Sequence, residues 1–118
     1  MTTVLTQAGE EAIIDKLDVA TKFEYIDWGT DANGATKDDT VITTPAGESR
    51  VLGTVTQPAA DKYQVVGTMT KASSGATITN AGLFNASTTG VMLMKGDFTG
   101  IALNVGDKIE FTFLLEIT

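Results

Sequence analysis

Hydrophobic and polar residues alternate most clearly at the end of the chain, from Gly106 to Thr118 (G-D-K-I-E-F-T-F-L-L-E-I-T). Ile109, Phe111, Phe113, Leu115 and Ile117 share one register; Lys108, Glu110, Thr112, Leu114, Glu116 and Thr118 fill the other. Successive side chains of a strand point to opposite faces, so the spacing predicts one long strand with a dry face and a mostly wet one. Each buried side chain of this size contributes roughly 1.5–3 kcal/mol, and that gain requires a second layer to cover it. Gly106-Asp107 supplies the turn that starts the strand.

The same period recurs upstream. Lys22 to Trp28 (K-F-E-Y-I-D-W) predicts a first strand, with Phe23 and Tyr25 on one face and Glu24 on the other. Glu48–Gln57 and Lys62–Lys71 read as the arms of a hairpin around Pro58-Ala59-Ala60-Asp61. Val51 and Val55 share a face of its first arm, and Tyr63, Val65 and Met69 share a face of its second. Ala76–Asn85 follows with Ile78, Gly82 and Phe84 in register, Gly82 marking a bulge or a close backbone approach. Val91–Phe98 is another strand, and Ile101, Leu103 and Val105 alternate before the last turn. Gly29–Asp39 is a polar loop, and Thr40–Gly47 an irregular or short helical crossing broken by Pro45.

One helix is expected, from Gln7 to Lys16, capped by Thr6, with Glu10 and Glu11 early and Lys16 late, the order the helix dipole favours. Gly9 opposes it by about 1 kcal/mol relative to Ala. Ala12, Ile13 and Leu17 give it a narrow apolar stripe. About six or seven short strands with turns every 8–12 residues or so make the chain all-β, an antiparallel β-sandwich of jelly-roll or immunoglobulin-like type. The division is an N-terminal arm with the short helix (1–21) and a sandwich domain (22–118). A helix this short buries little alone and must pack on the sheet or on another subunit. Leu5, Ile13, Ile14 and Leu17, with Tyr25 and Trp28 nearby, are therefore the candidate partner-binding residues.

The chain contains no Cys and no His, which excludes thiol chemistry, Cys/His zinc sites, Ser-His-Asp triads and imidazole acid–base catalysis. No nucleophile–base constellation and no Gly-rich phosphate loop stands out, so no catalytic residue, cofactor or metal is assigned. A net charge of −7 with only 8 Lys+Arg disfavours a nucleic-acid partner, since phosphate contacts need clustered cations. No apolar run reaches the roughly 18 residues of a membrane helix, and no basic, then apolar segment follows Met1 as an export signal would. Asp31, Asn33, Asp38 and Asp39 offer oxygen ligands for Ca²⁺, with Trp28 as a sugar platform beside them; the competing reading is a solvated turn and a core tryptophan.

Three segments carry a resemblance. I-T-N-A-G-L-F-N-A (Ile78 to Ala86), G-V-M-L-M-K-G-D-F (Gly90 to Phe98) and L-N-V-G-D-K-I-E-F-T-F (Leu103 to Phe113) resemble, in that order, segments of small virion structural proteins of tailed bacteriophages. Y-I-D-W-G-T (Tyr25 to Thr30) and S-R-V-L-G-T (Ser49 to Thr54) resemble that group's entry to a long loop and a following strand. Asn80 and Lys95 depart from it, where an acid and often Arg are expected. The resemblance implies a non-enzymatic protein located in the virion: a capsid decoration (cement) protein, forming a homotrimer on the major capsid protein. The same features suit a tail-associated ring at the tube, baseplate or fibre base. A Ca²⁺-dependent carbohydrate-binding sandwich is the reading from outside that group.

Overall fold

In a computed structural model, residues 1–19 and 22–117 are described; Ala20, Thr21 and Thr118, and with them the expected boundary between arm and sandwich, lie outside the described residues. Thr6 caps the helix as its hydroxyl requires. Its backbone is extended, and its side-chain oxygen accepts a hydrogen bond from the Gly9 N–H at 3.1 Å. α1 (Gln7–Leu17) follows, with Glu10 in its first turn and Lys16 in its last. The buried face of α1 is not the expected stripe. Ile14 is 0% exposed and Leu17, one turn on, packs on the same core, whereas Ile13 points out at 44% exposure. At about 100° per residue, Ile13 and Ile14 cannot share one narrow contact.

Among the described residues, seven strands form two antiparallel sheets. The first has the order β2 (Val51–Leu52), β1 (Tyr25–Gly29), β5 (Ala76–Phe84), β6 (Met92–Leu103). The second has the order β3 (Thr54–Thr56), β4 (Lys62–Thr70), β7 (Lys108–Glu116). They face each other across a core of Ile26, Trp28, Ile78, Ala81, Leu83 and Leu103 from the first and Tyr63, Val65 and Met69 from the second. The Trp28 ring meets Phe111 edge-on, 6.3 Å between centroids. The protein is thus an all-β sandwich with one N-terminal helix.

Several registers differ from the expected ones. Phe23 and Tyr25 do not define the core face of the first strand; Ile26 and Trp28 do, because Tyr25–Gly29 is a central strand buried on both sides. The first hairpin arm is divided. Val51 pairs with Ile26 in one sheet while Val55 pairs with Val65 in the other, and the chain changes layer at Gly53. A Cβ there would lie 2.5 Å from Val65 Cγ1, so only glycine fits. In β5 a register shift between Ile78 and Asn80 turns Ala81 and Leu83 to the core, and Gly82 and Phe84 to the opposite face. Val91–Phe98 and the Ile101–Val105 alternation merge into one strand, β6, continuous over Met92–Leu103.

The outer face of the first sheet is covered by the segment from Thr30 to Arg50, irregular as expected up to Gly47 and, against expectation, also over Glu48–Arg50, so that the strand begins only at Val51. Gly29 and Gly82 leave a flat patch for Ile42. A Cβ on Gly29 would stand 2.3 Å from Ile42 Cγ2, and one on Gly82 3.4 Å from Ile42 Cδ1. Backbone bonds from Thr30 N–H to the Thr44 carbonyl (2.9 Å) and from Ala46 N–H to the Trp28 carbonyl (3.3 Å) tie the returning chain to β1.

Candidate interaction surface

The residues singled out for partner contact separate into two sets. Leu5 (53% exposed) and Ile13 lie on the surface, as do Val4 and Val19 elsewhere on the arm. Ile14 and Trp28 are 0% exposed and belong to this chain's own core. Leu17 is half-buried against that core, and Tyr25 is half-buried between Leu52 and Phe84 on the outer face of the first sheet. Trp28 is unavailable to a partner or a sugar for a further reason: its indole N–H donates to Glu48 Oε1 at 2.8 Å. An indole inside an apolar core needs an acceptor, and Glu48 is that acceptor.

Glu48 anchors a polar cluster at the margin of the core. Its Oε2 accepts from Lys71 Nζ at 2.7 Å, from the Ala72 and Ser73 N–H groups at 3.2 and 3.3 Å, and from Ser73 Oγ at 3.1 Å. Lys71 is 1% exposed and also donates to the Ala46 carbonyl at 3.2 Å and Ser73 Oγ at 2.9 Å. Burial works to raise the Glu48 carboxyl. The bonds from Lys71, Ala72, Trp28 and Ser73 outweigh it and bring its pKa down to about 2.

The acidic loop forms a second cluster. Asp31 accepts from the Thr43 and Thr44 N–H groups at 3.0 and 2.6 Å, pinning the two ends of the loop together. Lys95 Nζ reaches Asp31 Oδ2 at 2.9 Å and Asp39 Oδ2 at 3.2 Å. Burial alone would raise the Asp31 carboxyl; Lys95 and the Thr44 and Thr43 amides hold it below its ordinary value. Burial likewise works to lower Lys95, and its two carboxylates raise it. A cleft of about 200 Å³ opens here between Asp31, Gly34, Asp39 and Lys95. The position a bound cation would take between Asp31 and Asp39 is filled by the Lys95 ammonium. Asn33 and Asp38 are exposed at the tip, and no group of three or more metal-ligating side chains forms among the described residues. Asn80 lies close by, 0% exposed, and neither polar atom of its amide makes a hydrogen bond of good geometry among the described residues.

A third pair, Asp27 and Arg50, lies on the first sheet beside Phe84 and the β5–β6 connection. Their charged atoms are 3.6 Å apart, and the guanidinium lies 3.6 Å over the Phe84 ring while donating to the Ala86 and Thr89 carbonyls. Most of the sandwich's buried charge is therefore paired internally.

The apolar surface is distributed differently. Along the margin where β6 and β7 are the edge strands, the face formed by Ile109, Phe111, Phe113, Leu115 and Ile117 alternates as predicted but is only half-buried. Phe98 and Phe113 flank Phe111 with centroids 6.1 and 6.3 Å away. Together with Leu5, Ile13, Val4 and Val19 on the arm, this margin is the candidate interaction surface.

Comparison with protein-family models, with curated proteins and with solved structures finds no match.

Sequence reasoning missed both lysine clusters, though one carried a signal. Tyr63, Val65 and Met69 set an odd-numbered buried register, and continuing it reaches Lys71. A lysine in the core register must find a buried carboxylate. Nothing local pointed to Lys95, because its partners lie some 60 residues away in sequence, at Asp31 (|i−j| = 64).

Proposed function

We propose that this chain is a non-enzymatic structural subunit of a bacteriophage virion, a capsid decoration protein that binds the assembled shell of major capsid protein. The observation that carries the reading is the division of labour between charge and apolar surface. The buried ionisable groups are engaged with one another in Asp31–Lys95–Asp39, Glu48–Lys71 and Asp27–Arg50. Apolar side chains are left outside, on the arm and along the β6–β7 margin. Groups held this way by internal partners are poor acids, bases and nucleophiles, whereas exposed apolar residues suit adhesion to another protein. The order of the three resembling segments supplies the virion setting.

Leu5 and Ile13 are the arm residues free to meet the shell. Purified protein is expected to co-sediment with shells assembled without it. Leu5→Asp/Ile13→Asp, which touches no core residue, is expected to lower occupancy at least tenfold with an unchanged melting temperature. Full occupancy by the double variant would remove the arm from the reading. Binding to tails and not to shells would transfer the protein to a tail-associated ring. The carbohydrate reading lacks its anchors, since Trp28 is buried and Lys95 occupies the acidic loop.

A further inference from the structure

We propose that β7 pairs antiparallel with β7 of a second copy of this chain, about a twofold axis at Thr112, joining two three-stranded sheets into one continuous sheet. This goes beyond the virion reading and does not depend on it.

Three of the four sheet edges are blunted. β2 and β3 are two and three residues long. β6 is long, but its pairing with β5 is irregular at two places, and it carries Gly96, Asp97 and Gly100. β7 pairs with β4 in unbroken register over nine residues and contains neither Gly nor Pro. A long, regular, uncovered edge of this kind is a template for strand addition.

Hydrogen bonding fixes which atoms that edge presents. Lys71 N–H donates to the Asp107 carbonyl at one end of the pair and Ile117 N–H to the Asp61 carbonyl at the other. Antiparallel ladders alternate, so the odd-numbered residues of β7 bond to β4. Lys108, Glu110, Thr112, Leu114 and Glu116 direct their N–H and C=O groups outward, and all of them are exposed.

The strand is complementary to itself in one register. Setting Thr112 opposite Thr112 places Lys108 against Glu116, Glu110 against Leu114, Ile109 against Leu115 and Phe111 against Phe113. The even-numbered pairs exchange backbone bonds, about ten across the interface, and the odd-numbered apolar pairs fall where side chains approach most closely. Glu116, which lies 3.5 Å from its own Lys62, then also faces Lys108 of the second copy. Moving the axis to Phe113 would oppose Glu110 to Glu116. Moving it to Phe111 leaves Lys108 opposite Leu114, and parallel pairing sets like charges side by side. The contact is isologous and closes as a dimer, in place of the threefold ring that the resemblance implies.

The test uses the full-length protein. Light scattering and sedimentation at on the order of 100 μM are expected to give the mass of two 12.4-kDa chains. Lys108→Glu is expected to weaken the dimer at least tenfold while keeping the wild-type circular dichroism, and Lys108→Glu/Glu116→Lys to restore the dimer. Amides of Glu110, Thr112 and Leu114, which face away from β4, are expected to exchange slowly in the wild type and fast in Lys108→Glu. A monomer at that concentration, a trimer, or a dimer whose affinity and amide exchange ignore Lys108→Glu would overturn the proposal.

Discussion

Lys71 follows Met69 in the register that buries Tyr63 and Val65, so its ammonium arrives at the edge of the core whether or not charge is welcome there. Removing one partner from such a pair leaves an uncompensated buried charge, at about 3–5 kcal/mol. Glu48→Gln is therefore expected to lower stability by that amount in urea unfolding at pH 7. It also weakens the acceptor that holds the Trp28 indole, and tryptophan fluorescence should report a looser ring in the variant. Asn80 is the converse case: its buried amide makes no hydrogen bond of good geometry among the described residues.

Elements show how much of the structure was legible beforehand. β7 and α1 were, within a residue or so, because each writes its period or its cap locally: the alternation from Ile109 to Ile117, and Thr6 with Gly9. The faces were less legible. Ile14 rather than Ile13 is buried because the sandwich beneath the helix chooses the face, and α1's own stripe is too narrow to decide it. Ile14→Ala is expected to cost about 2–4 kcal/mol and Ile13→Ala under about 0.5 kcal/mol in thermal or urea unfolding. β1 misled because a central strand covered on both sides carries no alternation to read. The loop that covers it rests on Gly29, where an added methyl collides with Ile42 Cγ2 at 2.3 Å and the Thr44 carbonyl at 2.7 Å. Gly29→Ala is expected to destabilise by about 1–3 kcal/mol. It should also speed protease cleavage between Ala32 and Val41 while β4 and β7 stay protected. Of the candidate site, the sequence did not separate exposed Leu5 and Ile13 from buried Ile14 and Trp28, because burial is decided by the sandwich; the half-open margin was not legible either, because it depends on which strands end as edges.

For the molecule as a whole, the buried acids set the pH limits. The Glu48 carboxyl falls from 4.5 to about 2 on folding. A lowered carboxyl contributes its full stabilisation above its unfolded value and loses it as pH falls through the folded one. About 3 kcal/mol should therefore disappear between pH 4.5 and 2. Asp31 acts in the same direction, and Asp27, raised mainly by burial, softens the loss. At the other limit, burial and then the charges of Asp18 and Glu24 raise the Tyr63 phenol from 10 to about 12. A neutral phenol is what the fold holds, so its contribution is complete below pH 10 and declines toward 12. Urea midpoints measured across pH are expected to be flat between these limits, and Glu48→Gln should flatten the acid limb.

The crossing at Gly53 gives the two layers a mechanical asymmetry. Where β2 passes into β3 they are bound like the spine of a book, by a single residue whose N–H donates to the Glu24 carbonyl at 2.7 Å. Opposite, β6 and β7 form a fore-edge closed at the corner where the Asn104–Asp107 turn is held to Lys71. Thermal breathing should therefore part the pages from the side where Phe98, Phe111 and Phe113 lie, and a hydrophobic dye would enter there first.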